Sequence, residues 1–275
     1  MVARLSWGSS PMTFRLRERR SNLATWSARL AAVSIPVLII AAVGHRADLL
    51  DASMTYGAMA VGFTIAALAV IAAAAAFEAI WRDGRKGVRT ALWGLFLGLV
   101  VLSLPAIGAW RIVAYPRLTD ISTDLDDPPA FERAIADRGA EARAISDPTV
   151  DSAQLQRDAY PDIVSRHYSI DSQRVFDDAL AVVIDRGWRL LASHRPDDND
   201  SSGRIEAVAR TMIFAFSQDV VVRVQPDGDG SLVDMRSAAR NGAHDLGTDA
   251  ERIRAFFGDL DTSLQGASED QGDSG

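Results

Sequence analysis

Hydrophobic positions follow two regimes along this chain: long unbroken apolar runs up to residue 110, then short patterns of strand or helix period. Runs at 23–43, 56–80 and 91–110 each reach the roughly 20 apolar residues that a bilayer-crossing helix needs. Arg29 lies near the start of the first run and Glu78 in the last turn of the second, where a long charged side chain snorkels to the interface. Pro36 sits inside the first run, a position that membrane helices tolerate. Trp26, Trp81 and Trp110 mark run ends, as interfacial aromatic residues do. Gly94 and Gly98 form a GxxxG, which either lets a neighbouring helix approach closely or is a chance pair in a glycine-tolerant segment.

The next stretch, 112–165, reads as an extended acidic connector. In YPRLTDISTDLDDPPAF, Asp120, Asp124, Asp126 and Asp127 precede Pro128 and Pro129, which disfavour helix. A calcium loop is the alternative, although the glycine turn and closing Glu of an EF-hand are missing. A short surface helix is expected within 131–144, and DAYPD at 158–162 is a turn.

From 166 to 262 the periods describe a compact domain. A short strand at 167–170 leads through Ser169 or Asp171 as cap into a helix at 172–186, with Val175, Phe176, Ala179, Val182 and Val183 along its apolar stripe. After Gly187 comes a strand at 188–194, and then a polar loop holding Asp197, Asp198 and Asp200. Three alternating strands follow at 204–216, 219–225 and 232–240, the last two joined by the turn signal PDGDG. One face carries Ile205, Ala207, Ala209, Val220, Val222, Val224, Val233 and Met235, and the other mixes Arg with carboxylates. A final helix begins at Thr248, with Glu251 completing a capping box and Ile253, Phe256, Phe257 and Leu260 facing inward. The tail, 263–275, is disordered by composition. The predicted fold is therefore three transmembrane helices and an α+β two-layer sandwich, an antiparallel sheet with two helices on one face.

Charge adds a direction. Residues 1–110 hold eleven basic and five acidic side chains, and 111–275 hold eighteen and thirty-one, so the parts carry +6 and −13. Such asymmetry suits a membrane part and an aqueous part, and the acidic part would repel nucleic acid. Basic residues are dense in the arm at 1–22 and in the connector at 82–89, but only Arg46 lies between the first two runs. The positive-inside rule then sets the N-terminus in the cytoplasm and everything after the helices (23–111) outside, in the periplasm of a bacterial inner-membrane protein. The first run is too long for a cleavable signal and is followed by further membrane segments. There is no cysteine, which excludes disulfides, thiolate metal sites and cysteine nucleophiles.

The segments TDISTDLDDPPAF, YPDI, GRIEAVART, DVVVRV, DMRSAAR, HDLG and AERIRAFF together resemble the uncharacterised bacterial family DUF1499, over about 119–260. Gln218 and Asp219 stand where the family pattern has paired acids, and Asp249 where it has Asn. The resemblance implies no activity.

Candidate chemistry concentrates on the charged strand faces: Arg210, Arg223, Arg236 and Arg240, with Glu206, Asp219, Asp234 and Asp245. These residues form either a cross-strand salt-bridge ladder on a solvated face or a groove of guanidinium forks for an anion or carboxylate. An enzyme site would instead combine His244 with Asp245 and Ser237, or use His167 or His194. No nucleophile elbow, HExxH, P-loop or GxGxxG occurs, and the sequence names no metal or cofactor. The expected partners are the lipid bilayer and either another envelope protein or a small anionic ligand. A binding or interaction module is expected, with a hydrolase-like enzyme or a small transport component as alternatives.

Overall fold

The computed structural model describes residues 21–139, 142–145, 147–196 and 202–272, with side chains up to Gln265. The basic arm before residue 21 and the loop acids Asp197, Asp198 and Asp200 lie outside the described residues. The apolar runs become α1 (Asn22–Arg46), α2 (Ala52–Asp83) and α3 (Val88–Ala114), each long and apolar enough to cross a membrane. The chain divides into two compact units, Met1–Val37 with Ala60–Ser103, and Leu38–Met59 with Leu104–Gly275.

In the first unit the helices bury small residues and turn large ones outward. Ala24, Ala31, Ala66, Ala69, Ala73, Ala76 and Ala91 are buried, whereas Leu92, Phe96, Leu99 and Val100 are exposed. That distribution suits helices solvated by lipid, where small residues permit close backbone approach. The GxxxG has a packing role: a Cβ on Gly94 would lie 2.4 Å from Ser27 Oγ in α1, and one on Gly98 would lie 2.7 Å from Val70 Cγ2 in α2. Each glycine thus admits a different neighbour. Among the described residues the buried polar ones here are Ser21, Ser27 and Ser34. The hydroxyls of Ser27 and Ser34 bond back to carbonyls of their own helix, at Ala24 and Ala31.

The second unit is built on one antiparallel sheet. Its strands are β1 (Asp120–Ser122), β2 (Arg166–Tyr168), β3 (Arg189–His194), β4 (Gly203–Arg210), β5 (Ser217–Asp227) and β6 (Gly230–Ala239). The order is β1-β6-β5-β4-β3, with β2 pairing a different stretch of β6 from β1. Register places Ile205 opposite Val222, and Val222 opposite Met235, so the alternating apolar positions form one continuous face. Against it pack α6 (Ser172–Asp185) and α7 (Thr248–Gly272) through Val175, Phe176, Ala179, Val183, Ile253, Phe256, Phe257 and Leu260. The expected sheet with two helices on one face is present. Asp171 caps α6, accepting from the N–H groups of Gln173 and Arg174.

Three expectations need correction. First, the extended connector is structural: it supplies β1, α4 (Arg133–Asp137) and α5 (Val150–Ala159). Gln156 of α5 clamps β1, accepting from Ser122 N–H and donating to Ser122 O. Phe131 and Ala134 pack on Val221 and Ala238, so the second sheet face is covered. Second, α7 has no Thr248 capping box. The Asp245 carboxylate accepts from Gly247 N–H and Asp249 N–H, while the Thr248 hydroxyl donates to Asp245 O. Third, α7 continues to Gly272, where disorder was expected from 263; the polar residues there include no proline to stop it.

Candidate functional site

The second face of the sheet is where the sequence concentrates its charge, and that charge is buried. Glu206, Asp219, Asp234 and Arg236 are each at most 1% exposed, so the solvated ladder is replaced by an enclosed network. A buried ion without a partner is costly, which makes the partners decisive.

The acids that complete the network come mainly from the segment before and within α4. Arg236 donates from Nε and Nη2 to the two Asp120 oxygens at 3.0 and 2.8 Å and from Nη1 to Pro129 O, and its guanidinium lies over the Phe131 ring. Burial raises the Asp120 pKa, against the bonds from Arg236. Arg223 holds Asp234, Asp124 and Asp127 together, with contacts from 2.7 to 3.2 Å. Asp219 is shared: Oδ1 accepts from Arg240 at 2.6 Å and Oδ2 from Arg138 Nε at 2.6 Å. Arg240 continues to Asp137 at 2.8 Å, and Arg189 closes the chain there at 2.6 Å. The Arg189 bonds are the largest reason that the Asp137 carboxyl sits below its ordinary pKa. The Arg240 pKa is raised, because Asp219 and Asp137 outweigh the opposing effect of burial.

The eight residues singled out from sequence therefore separate. Arg223, Arg236 and Arg240 belong to the network with Asp219 and Asp234. Glu206 accepts from Glu132 N–H and Ala134 N–H instead of meeting an arginine. Asp245 caps α7, and burial raises its pKa. Arg210 points to the α1–α2 connection, bonding Arg46 O at 2.9 Å and Asp48 at 2.8 Å. The connector aspartates weighed for calcium are taken by arginines: Asp120 by Arg236, Asp124 and Asp127 by Arg223, and Asp126 by Arg157.

Of the enzyme constellation only His244 and Asp245 approach, with Nδ1 3.7 Å from Oδ1, and Ser237 is engaged elsewhere. Ser237 Oγ donates to Asp249 Oδ1 at 2.7 Å and accepts from Arg252. His244 Nδ1 accepts from Leu246 N–H, and Nε2 is 3.2 Å from Tyr115 O. His167 pairs with Asp227, and His194 ends β3.

Sequence reasoning missed Arg138, Arg143 and Arg189. Arg138 is nearly buried, its Nη1 donates to Arg143 O, and its Nη2 has no hydrogen-bond partner among the described residues. Arg138 and Arg143 line a small recess with Thr119, Asp120, Ile145, Ala238 and Ala239. Thr119, Asp120 and Arg143 also line a larger recess of about 210 Å³, with Arg117, Asp147, Thr149 and Ser152. The available signal was arithmetic: a buried arginine on β6 needs a carboxylate, and TDISTDLDD is the densest nearby source.

Fold and network define a small α+β domain preceded in the chain by three membrane-type helices. The chain belongs to the protein family of unknown function DUF1499, whose model matches residues 120–260. That match begins at β1, consistent with β1 and α4 being part of the domain. No curated protein matches the sequence. Among solved structures, CalU16 from Micromonospora echinospora is similar at 16% identity, covering 40% of this chain and 82% of its own, with a TM-score of 0.24.

Two expectations follow. Arg236→Ala leaves Asp120 partly buried without its cation and should lower stability by about 3–5 kcal/mol. Thermal unfolding checks this, and adding Asp120→Asn should restore part of the loss; unchanged melting would refute the structural role. Burial, helped by the Asp245 charge and opposed by Arg252, pushes the Asp249 pKa up from 3.8 to about 8. The folded state then holds this proton more tightly than the unfolded chain, a contribution complete below 3.8 and lost as pH rises through about 8. Asp249→Asn removes the titration, so its melting temperature should gain on the wild type between about pH 4 and pH 8 and level off above that. A pH-independent difference would contradict the shift.

Proposed function

We propose that this chain is an inner-membrane protein whose three helices anchor the α+β domain on the periplasmic side, and that the domain binds a small anionic group. The anchor assignment is supported by the small-residue packing of the helices and by buried serines that bond within their own helix, which supply no continuous polar path. The orientation rests on the basic residues of the arm and of 82–89 against the lone Arg46 of the first connector. A reporter fused after Gly275 should be active only when periplasmic reporters are; activity of a cytoplasmic reporter would reverse the topology.

The observation carrying the ligand assignment is the unpartnered Nη2 of Arg138, on a side chain that lines a recess with Arg143. Asp120 also lines it, but its charge is answered by Arg236. Guanidinium groups select carboxylate and phosphate oxygens through paired charge-assisted bonds. The recess that Arg138 lines is only about 50 Å³; the larger one of about 210 Å³, which shares Thr119, Asp120 and Arg143 with it and adds Arg117, has the room for a phosphate or a short dicarboxylate. Arg143 is exposed and forms no ion pair among the described residues, so it can be removed without opening the network. With the full chain in detergent at constant ionic strength, phosphate or succinate should raise the melting temperature more than chloride does. Arg143→Gln should weaken that response about tenfold, as losing one charge-assisted bond implies. Equal responses to all three anions would refute a specific site.

A further inference from the structure

The β4–β5 hairpin loop, residues 211–216, holds adjacent large apolar side chains exposed on an otherwise acidic domain. Its sequence is TMIFAF, with Met212 90% and Ile213 51% exposed. The loop is ordered by its own bonds: Thr211 N–H to Phe216 O, Ala215 N–H to Thr211 O, and Phe216 N–H to Thr211 Oγ1. Ala215 takes φ +57°, a left-handed conformation that is unfavourable for alanine and turns the chain tightly. Large apolar side chains held outward on a bound, strained loop call for a cover.

What covers them follows from where the loop is fastened. Phe216 stacks on Tyr56 with ring centroids 4.8 Å apart and lies 5.0 Å from His45. Arg46 Nη2 donates to Met212 O at 2.5 Å, and Arg210 reaches back to Arg46 O and Asp48. Arg46 is the last residue of α1, and Tyr56 begins the apolar run of α2. Both mark the level where apolar helix gives way to water, the zone in which aromatic and arginine side chains concentrate. The same unit exposes Leu49, Met54, Trp110, Ile112 and Val113 on the adjoining helix ends. The loop continues this apolar rim.

We infer that the β4–β5 loop is a lipid-contacting element: Met212 and Ile213 insert into the headgroup and upper acyl region of the bilayer that α1, α2 and α3 cross. The inference rests on the proposal that these helices span the membrane. The insertion holds one end of the sheet at the membrane surface. The β5–β6 turn with Asp229, at the opposite end of β5, then points away into water.

The chain has no cysteine, so single probes can be placed without background. Met212→Cys, Val100→Cys and Asp229→Cys in the full chain are labelled with the environment-sensitive fluorophore NBD and reconstituted into phosphatidylcholine–phosphatidylglycerol vesicles. Quenching is read with lipids spin-labelled at shallow or deep acyl positions. Val100, exposed in the middle of α3, should be quenched most by the deep label, Met212 most by the shallow label, and Asp229 by neither. If Val100 is quenched but Met212 behaves like Asp229, the loop does not touch lipid and the inference fails while the spanning assignment stands. If Met212 fluorescence is blue-shifted yet unquenched, protein rather than lipid covers the loop, and the inference fails equally. An unquenched Val100 would overturn the spanning proposal, and the inference with it.

Discussion

A guanidinium group removed from water must be met by carboxylates or carbonyls, and Arg236 imposes this condition on the domain. It sits in the middle of β6 at 1% exposure, opposite Val221 on β5. Only a chain crossing that face can supply its partners, and the segment from β1 through α4 does so with Asp120 and Pro129 O. The same crossing delivers Asp124 and Asp127 to Arg223 and Asp137 to Arg240. Glu206 reciprocates by accepting the Glu132 and Ala134 N–H groups. Charge neutralisation and secondary structure are therefore one event here: the acids cannot arrive without the segment folding, and its apolar anchors Ile121, Phe131 and Ala134 are buried by the same crossing.

The two sheet faces divide the labour. The helical face is a hydrocarbon core of Val, Ile, Met and Phe, which stabilises without directing. The covered face is polar, and its ion pairs offset the cost of burying their charges rather than adding much net stability. Its arginine forks fix which segment lies across the sheet and in which register. Because the arginines are so fully engaged, the recess beside Arg138 and Arg143 stands out chemically from the rest of the face. In the membrane-type unit the same logic runs on size, with alanine, serine and glycine inside and larger residues outward.

Much of the fold was legible in the sequence. The apolar runs, the alternating faces of β4 to β6 and the stripes of α6 and α7 survive, because each expresses one element's own period, although the strand expected over 204–216 stops at Arg210 and 211–216 is a loop. What escaped depends on distant partners. The connector looked solvated because aspartates and prolines cluster at its start, and nothing local says that Asp120, Asp124, Asp127 and Asp137 answer arginines on or next to the sheet. The α7 cap was misplaced for a related reason: Thr248 and Glu251 fit a capping box, but their N–H groups bond Asp245 O and Gly247 O, and the buried Asp245 carboxylate caps the helix from further back through the Gly247 and Asp249 N–H groups. Arg210 and Glu206 shared a charged face by alternation, yet meet quite different partners, since alternation gives the face and not the neighbour.

Hydrogen exchange of amides in the full chain tests the central claim, that the segment carrying the acids is part of the domain's cooperative structure. Thr123 N–H bonds Met235 O, Ala134 N–H bonds Glu206, and Ala239 N–H bonds Thr119 O, so all three report on this crossing. Their protection should match that of Val221 and Val222 in the middle of β5 to within about tenfold, as one cooperative unit requires. Exchange at Thr123 and Ala134 that is orders of magnitude faster than at β5 would show a separable connector, and would contradict the account.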